Sequence, residues 1–376
     1  MKIPRRLAAV ALLLASCAVP GTAASARAQT DSVALELEQL QTPTSPAFVI
    51  LGVSPTAVER PTTPRAFALS VVQAATESDD LVPDNYAAEF APYWLGPQRE
   101  LTFLEYFRPS VGQALQQTFS LSFATNTVLE SGDSLPALGA GFRFAPFVGG
   151  PSRRLDSLSA AIDSIDSRLL TLRIALRRAA TAADSAAIQT QITARSDTAQ
   201  ALASQLRAAI STDDERVGFR LQFAGGLAAY YPGNQFTAGK IGRTGVWATA
   251  GYRLERPSVD LIALGRYLRN EEGTDQRALD VGGRAVLLFT PWAASLEWVA
   301  RSASGGEGPG PDGTPGFASG NRAVGMLEYR VNDDLYVNFS FGQDYAQSGE
   351  EGQPLVAILG GQINLGKNPL ISLPVP

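Results

Sequence analysis

Between Ala323 and Phe341 the chain reads AVGMLEYRVNDDLYVNFSF, and every second residue is of one kind. Ala323, Gly325, Leu327, Tyr329 and Val331 are apolar or aromatic, with Glu328 and Arg330 between them. After the polar Asn332-Asp333-Asp334, Leu335, Val337, Phe339 and Phe341 form one set, and Asn338, Ser340 and Gly342 the other. Successive side chains of a strand point to opposite faces. Such alternation, over two runs of about ten residues joined by a turn, predicts a β-hairpin with one apolar and one polar face. Roughly ten residues is also what a tilted strand needs to cross a bilayer.

Variations on this unit fill most of the chain. In Asp84 to Leu95, Tyr86, Ala88, Phe90 and Trp94 oppose Glu89. Phe119, Leu121 and Phe123 oppose Ser120 and Ser122, and Leu138, Ala140, Phe142 and Phe144 oppose Gly139, Gly141 and Arg143. Beyond Arg216, Phe219, Leu221 and Phe223 oppose Arg220 and Gln222, and Val246, Ala248, Ala250 and Tyr252 oppose Thr249 and Arg253. Val259 to Leu268 carries Arg266 on its polar side. Leu279 to Phe289 sets Asp280 and Arg284 opposite its apolar residues, and Ala294, Leu296 and Trp298 oppose Ser295, Glu297 and Arg301. Leu355 to Leu365, with Gln362 and Asn364 polar, completes eleven runs.

Eleven antiparallel strands cannot close uniformly, because the first and last would run parallel, so a twelfth is expected before Asp84. Arg65 to Gln73 is the favoured candidate, with Phe67, Leu69 and Val71 outward and Ala68 and Ser70 inward. In the rival reading Thr63-Pro64 starts a helix over Arg65 to Ala75 that plugs the interior, and the missing strand lies in Glu100 to Phe107. Upstream, Pro46, Pro55, Pro61 and Pro64 forbid regular structure for long, and Asp31 to Gln41 reads as a short helix.

The alternation breaks at Gly149-Gly150-Pro151. Leu155, Leu158, Ile162, Ile165, Leu169, Leu172 and Leu176 follow at 3-4 spacing, the seam of a coiled coil. A polar break near Thr181 to Ser185 precedes a second seam of Ile188, Ile192, Ala199, Leu202 and Leu206. Two helices of roughly 27 residues fold most simply into an antiparallel hairpin about 40 Å long, at 1.5 Å per residue.

There is no histidine in the chain and no cysteine beyond Cys17, which removes Ser-His-Asp and Cys-His nucleophilic machinery and most transition-metal sites. The acid pairs Asp79-Asp80, Asp213-Asp214, Asp333-Asp334 and Glu350-Glu351 fall in turns or loops. No catalytic residue, metal site or cofactor is therefore expected. A net charge of −5 argues against a nucleic-acid partner. At the N-terminus Lys2, Arg5 and Arg6 precede the apolar run Leu7 to Leu14, and Ala26-Arg27-Ala28 offers a cleavage site, the pattern of an export signal. Leu14-Ala15-Ser16-Cys17 offers a rival, a lipobox that would place a lipid on Cys17.

An export signal, alternating ten-residue runs, aromatic run ends at Tyr86, Trp94, Trp292 and Tyr329, and alternately short and long connections together resemble Gram-negative outer-membrane β-barrel proteins as a broad class. The resemblance covers about Asp84 to Leu365. The chain departs from many such barrels in ending Ile371-Ser372-Leu373-Pro374-Val375-Pro376, not in an aromatic residue.

It implies an all-β transmembrane antiparallel barrel of about twelve strands with an inserted antiparallel α-helical coiled-coil hairpin. Residues 1–28 would be the signal peptide, and 29–83 a periplasmic segment that is plug or first strand. The barrel would run over 84–150 and 215–366, with the hairpin at 151–214 and a tail at 367–376. Short turns at Arg253 to Ser258, Thr290-Pro291 and Asn332 to Asp334 would lie on the periplasmic side, and the hairpin with them. Interior charges would then be Glu89, Arg143, Arg220, Arg266, Asp280, Arg284, Glu297, Arg301, Glu328 and Arg330, as mutually paired fillers or as a polar pathway. The resemblance implies contact with outer-membrane lipid. Three functions stay open: a channel, transporter or membrane part of an export assembly; a scaffold whose hairpin binds a periplasmic protein or the cell wall; and a soluble secreted lipid-binding barrel, since inverting inside and outside preserves the pattern.

Overall fold

The computed structural model describes residues 32–34, 45–52, 57, 67–74, 85–97, 100–130, 133–212, 216–231, 235–270, 275–289, 291–305, 316–332, 334–345, 355–365 and 370–372. The expected signal peptide, Cys17 and Thr63-Pro64 lie outside them.

The first described elements are a strand β1 (Ser32–Ala34), where a helix is expected from sequence, and a helix α1 (Pro46–Leu51). Strands β2 (Phe67–Ala74) and β3 (Asn85–Phe90) follow. Next come a short strand β4 (Glu100–Thr102) and helices α2 (Phe103–Phe107) and α3 (Val111–Thr118). Strands β5 (Ser120–Glu130) and β6 (Asp133–Gly150) lead into two long helices, α4 (Arg153–Arg178) and α5 (Ala182–Thr212). The rest is β: β7 (Val217–Tyr230), β8 (Lys240–Leu254), β9 (Val259–Asn270), β10 (Arg277–Phe289), β11 (Trp292–Ser304), β12 (Gly320–Arg330), β13 (Leu335–Gln343), β14 (Leu355–Leu365) and β15 (Leu370–Ser372).

Twelve of these strands, β2, β3 and β5 to β14, form a closed antiparallel barrel. The twelfth is the favoured segment: β2 closes the ring between β14 and β3, with Leu365 opposite Phe67 and Phe90 opposite Phe67 on the other side. Ala68 and Ser70 are buried, as the alternation requires. The rival placement fails because 100–107 is a three-residue strand followed by a helix, capped by reciprocal hydrogen bonds between Thr102 and Glu105. The first run also ends earlier than its alternation suggests, since Pro92 starts a single 3-10 turn over Pro92–Trp94. Proline cannot donate to a ladder, and the strand stops before it.

The antiparallel ring puts the β8–β9, β10–β11 and β12–β13 junctions on one rim, together with the helices α4 and α5 and the stretch 91–119. On that rim β1, β15 and β4 make a separate three-stranded sheet. Leu155 and Ile162 at the start of α4 and Leu206, Ala209 and Ile210 at the end of α5 share one buried cluster with Trp94, Leu101, Phe103, Phe107 and Ile371. The two helices thus lie antiparallel at their base. This floor, stitched from four distant parts of the chain, has no counterpart in the sequence reading, which left 370–372 in a tail.

Candidate functional site: the barrel interior

Among the described residues of the barrel strands, one alternating set is exposed and largely apolar, and the other is buried and mixes charged and polar residues with apolar ones such as Trp247, Ile262, Leu264 and Val286. On β11, Leu296 and Trp298 are 67% and 53% exposed, whereas Glu297 and Val299 are 2% and 0% exposed. On β13, Val337, Phe339 and Phe341 face out while Tyr336, Asn338 and Ser340 are buried. A charge withdrawn from water is costly unless paired and hydrogen-bonded, so such an interior must satisfy itself.

It does so in clusters that bridge neighbouring strands. Asp280 on β10 takes Arg266 from β9 (Nη2 2.6 Å) and Arg301 from β11 (Nε 2.7 Å), its direct cross-strand partners in both ladders. Arg284 reaches Glu328 on β12 at 2.6 Å and the Ser295 hydroxyl at 3.0 Å. Arg143 pairs with Glu89 at 2.7 Å, and the Ser120 hydroxyl donates to the same carboxylate. Seven of the ten expected interior residues therefore meet one another. Two others take partners that sequence reasoning missed: Arg220 pairs with Asp260, and Glu297 with Arg322 at 3.3 Å, which also reaches Asp344 at 3.0 Å. Arg330 is half-buried at the short-turn end of β12, its backbone N–H donating to the Pro291 carbonyl (3.0 Å). Asp260 shares parity with Arg266, and Arg322 with Glu328, so parity was the signal that could have found both. Asp344 lies beyond the end of β13, where parity no longer applies.

Helix α1 sits among these strands, not outside them. Ala47, Phe48, Ile50 and Leu51 share a buried cluster with Ala87, Ala124, Ala137, Ala228, Leu268, Ala278 and Ile358, contributed by seven different barrel strands. The local sequence makes the helix compact: Pro46 occupies its first turn and Gly52 ends it at φ 82°, a conformation that glycine adopts without a Cβ penalty. Pro46, one of the prolines that argue against long regular structure, thus opens a helix of six residues. Three kinds of hydrogen bond hold the segment. The Ala47 N–H donates to Ser122 Oγ (3.1 Å), Arg243 Nη1 donates to the Ile50 carbonyl (3.4 Å), and the Ala57 N–H donates to both Glu297 carboxylate oxygens (3.0 and 3.1 Å).

The wall makes room for α1 with glycine. A Cβ on Gly139 would stand 2.7 Å from the Ala47 carbonyl oxygen, and one on Gly141 2.8 Å from Pro46 Cβ. Ala137 and Gly139 begin β6 while Ala228 and Tyr230 end β7, so α1 fills the half of the barrel remote from α4 and α5. From the long connection between β11 and β12, Phe317 closes over it. Its N–H donates to Gln276 Oε1 (3.0 Å), and the Arg243 guanidinium lies 4.8 Å from its ring centre. The Arg301 guanidinium stacks 3.8 Å from the Tyr345 ring centre. Among the described residues no group of three His, Cys, Asp or Glu side chains could hold a metal ion, and no helix is long and apolar enough to cross a membrane.

No protein-family model matches the chain, and no curated protein matches it in sequence. Among solved structures it is similar to the outer membrane channel DcaP of Acinetobacter baumannii, with 11% identity over 79% of this chain and 71% of that one, at a TM-score of 0.28. LpxR from Salmonella typhimurium is similar at 5% identity over 80% and 99%, with a TM-score of 0.35. The beta domain of the Bordetella autotransporter Brka matches at 10% identity over 80% and 98%, with a TM-score of 0.30. At such distances only the chain's own side chains can speak for its function.

Proposed function

We propose that the chain is an outer-membrane barrel, closed by its own N-terminal segment, that works as a scaffold and presents the α4–α5 pair to a periplasmic protein or the cell wall. The burial pattern carries the membrane reading: Leu, Val and aromatic side chains cover the outside, while the buried ion pairs among the described residues all lie inside, beside the apolar residues that pack on α1. A soluble lipid-binding barrel needs the opposite arrangement, with its apolar face enclosing the ligand. By the rule that periplasmic turns are short, α4 and α5 stand on the periplasmic side. Read as an antiparallel coiled coil, the pair would reach about 40 Å at 1.5 Å per residue of the shorter helix.

The closed interior favours a scaffold over an open pore. A channel or transporter of small solutes is the second reading, supported by the way α1 is seated: it is no part of the strand ladder and rests on small wall residues and a few hydrogen bonds, so its displacement would clear a passage. Gel electrophoresis with and without heating tests the membrane reading, the detergent-extracted protein being expected to shift on heating. Solubility without detergent and an unchanged band would overturn it. Planar-bilayer conductance tests the scaffold, for which no steady open current is expected from the intact chain; a steady current would sink it.

A further inference from the structure

Outside the barrel, on the rim that carries α4 and α5, a hollow of about 640 Å³ opens between α3, the 3-10 turn and the barrel wall. Pro92, Tyr93, Leu115, Gln116, Phe119 and Phe144 line it. We propose that this groove binds an acyl chain of a phospholipid in the leaflet on the helix side, and so seats the rim in the membrane. The proposal rests on the membrane reading above and adds a specific lipid site to it.

Three observations point to a lipid chain as occupant. The lining is apolar but for one glutamine and the tyrosine hydroxyl, and the hollow is a shallow groove open to the exterior. The groove is also continuous with the lipid-facing surface. The Phe144 ring that walls it lies 6.4 Å from Phe142 and 5.8 Å from Phe223, both exposed on the barrel exterior, so one row of rings runs from belt to groove. Finally, the stretch that forms its other wall leaves Leu95, Leu104 and Val111 more than half exposed, although α2 and α3 bury their remaining faces. Exposed leucines on short amphipathic elements beside a lipid-facing surface are the pattern of a segment lying in the membrane interface.

The test uses the full chain in phospholipid vesicles that carry a photoactivatable acyl chain, with cross-linked residues mapped by mass spectrometry. Adducts are expected at the exterior residues Phe339 and Phe341 and at the groove residues Tyr93, Leu115 or Phe119. Gln116→Trp, at an exposed position on the groove edge, should fill the hollow and cut the groove adducts about tenfold while the exterior adducts persist; Leu115→Trp is the second filling variant. Exterior adducts with none in the groove would overturn the lipid site and leave the membrane reading intact. Groove adducts that persist in both filled variants would also overturn it, as bulk contact. If neither set of residues is labelled, the membrane reading itself fails.

Discussion

At the residue scale the decisive choices are glycines and paired charges. Gly139 and Gly141 are where the wall yields to α1, and any larger side chain must displace either the helix or the strand. Gly139→Leu should therefore expel α1 and expose Phe48 to protease, with the barrel itself retained; limited proteolysis followed by heat-modifiability checks both halves. The charges follow a different logic. Arg284→Met leaves Glu328 buried without its guanidinium and should cost about 3–5 kcal/mol in urea-driven unfolding, whereas Arg284→Met with Glu328→Leu should recover most of that loss. If the double variant is no more stable than the single, the pair does more than fill space. Much of this was legible. Asp280 meets Arg301 because Phe289 faces Trp292 at the end of the ladder, which sets the register, and alternation fixes the face. Arg322 was harder to see, since the long connection between β11 and β12 leaves the register open.

At the scale of elements, the helical pair is less separable than its seam suggests. Heptad spacing marks Leu155, Ile162 and Leu206 as positions that face a partner helix, yet they also pack on Phe103, Phe107 and Ile371 in the floor. Removing 151–214 entirely would uncover that floor, and Phe107→Ala alone should cost about 3–5 kcal/mol. Removing only 166–198 and closing the stub with a short turn keeps both base segments. That variant should insert into membranes and show unchanged heat-modifiability. Failure to insert would mean the outer part of the pair is needed for assembly. Protease added outside intact cells should leave α4 and α5 uncut; cleavage there would invert the side on which they stand.

For the whole molecule, the question is whether closure is permanent. Burying Phe48, Val49, Ile50 and Leu51 is worth roughly 1.5–3 kcal/mol per side chain, and hydrogen bonds to Ser122 and Arg243 add to the hold on α1. Replacing Pro46–Leu51 by a Gly-Ser stretch should turn a silent barrel into a conducting one in planar bilayers, with the polar wall keeping its ion pairs. A variant that stays silent would mean that the ion-paired interior blocks passage without α1, and the channel reading would be lost.

The barrel is written in the sequence: period-two alternation dictates strands with unlike faces, and antiparallel closure demands an even count, for which Arg65 to Gln73 is the favoured twelfth strand, found as Phe67–Ala74. Those are local or counting constraints, readable one stretch at a time. What lies inside and beneath the ring depends on contacts between stretches far apart in the chain. The six residues of α1 carry apolar side chains that could have faced any core, and it is Gly139 and Gly141 of β6, far along the chain, that show where they go. Likewise β1, β4 and β15 are three residues each, too short for any periodicity, and become strands because a closed barrel brings their ends to one rim.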